Sequence, residues 1–90
     1  MGERLRDLPN LSKVNEEKLI AAGIETPEAL RALGAKEALL RVRRTCDPGA
    51  CLMMLWGLEG AVRGVPKKEL PEDVKAELKA WHGTLPKEGV

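Results

Sequence analysis

The chain contains no phenylalanine and no tyrosine, and its only aromatic residues are Trp56 and Trp81. A core without phenyl rings has to be built from Leu, Val, Ile, Ala and Met. The β-branched residues are few and never alternate with polar ones over a useful length, which argues against strands and for helices. Two cysteines, Cys46 and Cys51, are too few for a disulfide framework. A zinc site would need four ligands, and His82 is the only other soft candidate, so neither a metal nor a cofactor is expected. Cys51 reads as a small core residue on a helix and Cys46 as a loop thiol. A Cys46–Cys51 bridge or a redox switch is the alternative. No apolar run approaches the length of a membrane span, and the Met-Gly-Glu-Arg-Leu-Arg-Asp start lacks the apolar segment of a secretory signal. A cytoplasmic location is the expectation.

Charge of one sign is also lacking. The net charge is +1, with nine Lys/Arg against seven Asp/Glu in residues 1–45 and six against seven in 46–90. Such a tilt falls far short of a nucleic-acid-binding tail.

What the sequence does have is helix punctuation. Ninety residues make one domain, with a core over about 5–82 and a tail over 83–90. Residues 1–7 read as a lead-in of one helical turn. Leu8-Pro9-Asn10 is a tight turn, because proline fixes φ and asparagine tolerates a strained backbone. Ser12 is a good N-cap for a helix over 12–22, with Glu16 and Glu17 as first-turn acids and Leu19 and Ile20 facing the core. Gly23 suits the left-handed residue that stops it. Thr26-Pro27-Glu28 starts a second helix, 27–33, ended by Gly34. Ala35, Ala38, Leu39 and Val42 give a third, 35–45, one apolar face. Thr45-Cys-Asp-Pro-Gly49 breaks the chain, with Asp47 as a cap for the next helix. Residues 50–63 are apolar around nearly the whole circumference, so a buried fourth helix is expected. A loop over 64–70 leads to Pro71 and a last helix, whose stripe is Val74, Leu78 and Trp81 and whose stop is Gly83. The class is all-α, a compact five-helix domain.

Chemistry has little to work with. No nucleophile–base pair can be assembled around His82, which sits where it would stabilise the end of the last helix. The carboxylate pairs Glu16/Glu17 and Glu72/Asp73 read as first-turn acids on solvated faces. The glycines form neither a phosphate loop nor a dinucleotide fingerprint. Gly57, Gly60 and Gly64 recur at spacings of three and four, a smooth strip that another helix could approach.

Leu8-Pro9-x-Leu11, followed by a helix and Ala22-Gly23-Ile24, resembles the helix-hairpin-helix and the related sterile-alpha-motif-like arrangement. In DNA-binding hairpins the Leu-Pro-Gly-Ile-Gly turn sets backbone amides against a phosphate at a helix N-terminus. Here Lys13 is kept, while Asn10 and Ser12 stand in place of the two glycines. Gly23-Ile24-x-Thr26-Pro27-Glu28, then Leu30-Arg31-Ala32-Leu33-Gly34-Ala35, Leu55-Trp56-x-Leu58-Glu59-Gly60-Ala61-x-x-Gly64 and Glu69-Leu70-Pro71-Glu72 occur in order. Together they are similar to the C-terminal domain of the TfoX/Sxy family, over about residues 5–81. The resemblance implies a helical fold and a role in regulating bacterial competence for DNA uptake. Family regulators commonly pair this domain with an N-terminal one, for which this chain has no room, so a standalone copy is expected. The family pattern favours glycine after Leu-Pro and a Ser/Asn-rich start to the buried helix. Ser12 and Cys51-Leu52-Met53 depart from it.

Two non-catalytic functions are compatible with these residues. In the first, Asn10, Ser12, Lys13 and Lys18 with Arg41, Arg43 and Arg44 contact DNA phosphates non-specifically and salt-dependently. In the second, the Gly57/Gly60/Gly64 strip or exposed Leu and Met side chains bind a protein, including a second copy of the chain.

Overall fold

The computed structural model describes residues 4–85. Residues 1–3 of the expected 1–7 lead-in and 86–90 of the expected 83–90 tail lie outside the described residues. A single 3-10 turn, Leu5–Asp7, precedes helices α1 (Lys13–Ala21), α2 (Pro27–Leu33), α3 (Ala35–Thr45) and α4 (Leu52–Arg63); a second 3-10 turn, Lys67–Glu69, precedes α5 (Glu72–His82). No strand occurs among the described residues. The fold is all-α with five helices.

Local chemistry sets the boundaries. Ser12 caps α1 in a reciprocal box with Asn15, and Thr26 caps α2 by accepting from the Ala29 amide at 3.0 Å. Gly23 (φ +86°) ends α1 with Ile24 N–H bonded to the Leu19 carbonyl at 2.8 Å. Gly64 (φ +80°) ends α4 with Val65 N–H on the Gly60 carbonyl at 2.9 Å. Both use the left-handed stop that satisfies the last carbonyls.

Helix α4 is the hub: α3, α5, α2 and the second 3-10 turn all pack on it, whereas α1 packs on α3 and on the first 3-10 turn. Leu5, Leu19, Ile24, Leu30, Leu39, Val42, Leu55 and Leu58 are fully buried. Removing any one of these leucines costs about 2–5 kcal/mol, the transfer and cavity terms together. Trp56 donates its indole N–H to the Lys75 carbonyl at 3.2 Å, fastening α5 to α4.

Several expectations need correction. Helix α4 starts at Leu52, not at residue 50, because Ala50 N–H bonds the Asp47 carbonyl at 3.0 Å and closes a turn first. Asp47 caps nothing there: its carboxylate takes the Lys18 ammonium at 2.8 Å. Cys51 is the N-cap of α4 and exposed, not a core residue; Cys46, at the end of α3, is exposed too. Helix α4 is not enclosed all round, since Met53 is 48% exposed. Ile20 faces solvent at 45% exposure, with only its neighbour Leu19 inward. In α5 Leu78 is buried, while Val74 and Trp81 are half-buried against the core.

Candidate functional site

The turn at Leu8–Leu11 has Pro9 second and Asn10 third, and Leu11 N–H reaches back to the Leu8 carbonyl at 3.3 Å. Asn10 has φ +70°, the conformation that third place demands and that asparagine tolerates best after glycine. The turn thereby aims the Asn10 amide at the C-terminal half of α4. Its Nδ2 donates to the Gly57 carbonyl at 3.3 Å and to the Val65 carbonyl at 3.0 Å. Its Oδ1 accepts from the Lys67 amide at 2.9 Å. One side chain thus ties three segments together.

That contact accounts for two of the three glycines in the strip. A methyl on Gly57 would lie 3.4 Å from the Asn10 Cβ; one on Gly60 would collide with the Asn10 Nδ2 and come within 2.6 Å of the Val65 carbonyl oxygen. Gly57 and Gly60 are buried under the chain's own turn and so do not form a free strip. Gly64 is there for its positive φ alone. Asn10, offered by the sequence as a phosphate contact, is exposed, and its amide is engaged by Gly57, Val65 and Lys67 of its own chain.

The other candidates are engaged in varying degree. Ser12 Oγ bonds Asn15. Lys13, the first residue of α1, is exposed and meets no carboxylate among the described residues. Lys18 pairs with Asp47, and the hydrogen bond to that carboxylate, working against desolvation, raises its pKa. Arg41 and Arg44 share Glu37 at 3.2 and 3.6 Å, and Arg43 donates to the Ala50 carbonyl at 3.3 Å. Arg41, Arg44, Thr45 and Ala22 line a shallow hollow of about 320 Å³. Lys18, Arg41 and Arg44 are therefore each paired with a carboxylate.

Two groups were not anticipated. Glu16, expected on a solvated face, is only 4% exposed and is the one buried charged residue among those described. Arg6 meets it through Nη2 at 2.7 Å and Nε at 2.8 Å, with Arg4 at 3.4 Å. These contacts, the Arg6 side-chain hydrogen bond first, outweigh desolvation and lower its pKa. The Arg4–Arg6 pair, twelve and ten residues upstream, was the available signal. The second is an open groove of about 300 Å³ along α4, lined by Leu11, Cys51, Met53 and Met54, by the Lys18–Asp47 pair, and by Asn10, Asn15, Gly57 and Lys67. His82 places Nε2 3.2 Å from the Ala50 carbonyl oxygen, so it braces the α3–α4 turn. No three His, Cys, Asp or Glu side chains gather as metal ligands among the described residues. No helix among them is long and apolar enough to cross a membrane.

The family described as the TfoX C-terminal domain matches residues 1–82. The chain is 41% identical over 83 residues to Protein Sxy of Escherichia coli, covering 92% of this chain and 39% of that protein. It is 36% identical over 75 residues to the DNA transformation protein TfoX of Haemophilus influenzae, covering 83% and 34%. The chain thus spans little more than a third of the length of these curated relatives. Among solved structures it is similar to a Listeria monocytogenes protein described as uncharacterized. The triclinic form has a TM-score of 0.88 at 45% identity, over 91% of this chain and 92% of that one. A tetragonal form of a Listeria monocytogenes protein of unknown function gives 0.87 at 46%, over 91% and 99%.

Proposed function

Because this chain belongs to the TfoX C-terminal domain family, we propose that it is a non-catalytic regulatory module of DNA transformation that acts by contacting another protein. The observation that carries this reading is the internal engagement of its cations. Lys18 stands beside Asp47, Arg41 and Arg44 beside Glu37, and Arg43 donates to the Ala50 carbonyl, so the cluster is far from a block of bare positive charge. Exposed ion pairs are weak, about 0–1 kcal/mol, so a phosphate could displace one. The displaced carboxylate would stay nearby and repel it. Meanwhile α1 turns Val14 (59% exposed) and Ile20 (45%) to solvent, apolar surface that a protein partner would bury.

The DNA reading keeps one specific support, the hollow lined by Arg41 and Arg44. Titration of the chain with duplex DNA at low and moderate salt, with light scattering for mass, separates the two. Protein recognition predicts weak binding whose log–log salt slope is no steeper than about −2. A steep slope that disappears in the Lys13→Ala/Arg43→Ala variant would establish the DNA reading instead.

A further inference from the structure

Helix α1 turns one face to solvent: Lys13, Val14, Glu17, Ile20 and Ala21 are all exposed. We propose that this face is the seat of a second protein domain, of the kind that precedes this one in its relatives. The seat rests on the protein-contact reading and names the partner in that contact.

The chain enters the described fold beside this face. Arg4 and Arg6 converge on the Glu16 carboxylate at 3.4 and 2.7 Å, and Glu16 also accepts the Arg6 amide at 3.4 Å. The turn Leu5–Asp7 is thereby fastened along α1. Ile20 lies four positions after Glu16 and Lys13 three before it, so both are its neighbours on the helix surface. The entry of the chain and the exposed face therefore share one side of α1. Stability alone explains the clamp poorly, because desolvation of a buried carboxylate offsets much of the attraction. A fixed direction of arrival does explain it.

The relatives supply the occupant. The family is described as a C-terminal domain, and the matched stretch is 39% of Sxy and 34% of TfoX from Haemophilus influenzae. The bulk of either protein therefore comes before the segment that this chain resembles. A domain attached there would emerge next to Glu16 and Ile20. Contacts between domains of one chain are modest in area and mixed in polarity. Val14 and Ile20 set among Lys13 and Glu17 match that mixture better than they match the apolar interface of an obligate complex. A second copy of α1 fits worse. The antiparallel pairing that sets Val14 on Ile20 brings Glu17 against itself across the two-fold axis, where like charges repel.

The test is hydrogen exchange read by mass spectrometry on this chain and on a chimera in which it replaces the matching segment of Escherichia coli Sxy. The α1 amides should exchange at least about tenfold more slowly in the chimera, because a docked face suppresses local opening. The Val14→Ser/Ile20→Ser variant should return them to the rate of the chain alone. Both side chains are exposed, so the variant should keep the circular dichroism of the wild type. Equal α1 rates in the two proteins would overturn the seat, as would a slowing that survives the double substitution. Slowing confined to α5, or to the groove along α4, would overturn it while leaving a protein contact standing. A front portion that exchanges faster in the chimera than in intact Sxy would show that this chain cannot seat it, and would count equally against the proposal. The protein-contact reading itself falls only to the steep DNA salt slope, which is measured separately.

Discussion

The two halves of α4 are built on opposite plans. The C-terminal half is tied down by its own chain: Gly57 and Gly60 lie under Asn10, Gly64 takes the positive φ of the stop, and the Asn10 amide is paired with Gly57, Val65 and Lys67. The N-terminal turn is open, with Cys51 at the N-cap making no side-chain cap bond and Met53 in solvent. Helical glycine costs up to about 1 kcal/mol against alanine, so the tied half accepts a propensity loss to admit one amide side chain. The open half forgoes a cap it could have had. Ties across the chain are concentrated where the helix ends, and exposed side chains lie where it begins.

The largest expected effect comes from Asn10→Ala. It leaves the Gly57 and Val65 carbonyls and the Lys67 amide without their partner and puts alanine at positive φ. A loss of about 2–4 kcal/mol is expected in urea unfolding. Gly60→Ala comes next, at about 1–3 kcal/mol, because the new methyl meets the Val65 backbone and not merely a movable side chain. A cost near zero would mean that the junction is loose and that the two halves differ less than their contacts imply.

Glu16 sharpens the comparison from outside α4. Its folded-state pKa is lowered by Arg6, so its contribution is present at neutral pH and above the ordinary glutamate value. The contribution is lost as pH falls through the depressed folded value. Glu16→Gln should flatten the acid limb of the stability–pH profile while leaving the alkaline limb unchanged. The smallest effect belongs to Ile20→Ser, on the solvent side of α1. It should change stability by no more than about 0.5 kcal/mol in the same assay and weaken only partner binding.

The boundaries of α1, α2 and α3 were legible in the sequence because their causes are local, whereas the start of α4 was not. Ser12, Thr26-Pro27, Gly23 and Gly34 each act within a turn of their own position. The family, too, was legible, since its separated motifs keep their order along the chain. Asn10 was legible as a turn residue but not as a fastener, because its partners lie 47 to 57 residues away. Glycines spaced three and four apart look the same whether the neighbour is another helix or one amide from the same chain. Ile20 was misplaced by one face: α1 is short, and Leu19 alone satisfies the core beneath it.

The claim most in need of a direct measurement is that Asn10 and Gly60 form one junction within a single chain. A double-mutant cycle on urea unfolding of Asn10→Ala, Gly60→Ala and the combined variant measures it. If the amide occupies the glycine notch, removing it relieves the overlap, and the combined loss falls short of the sum by about 0.5–3 kcal/mol. Losses that add to within about 0.3 kcal/mol would contradict the junction and return the glycine strip to the molecular surface.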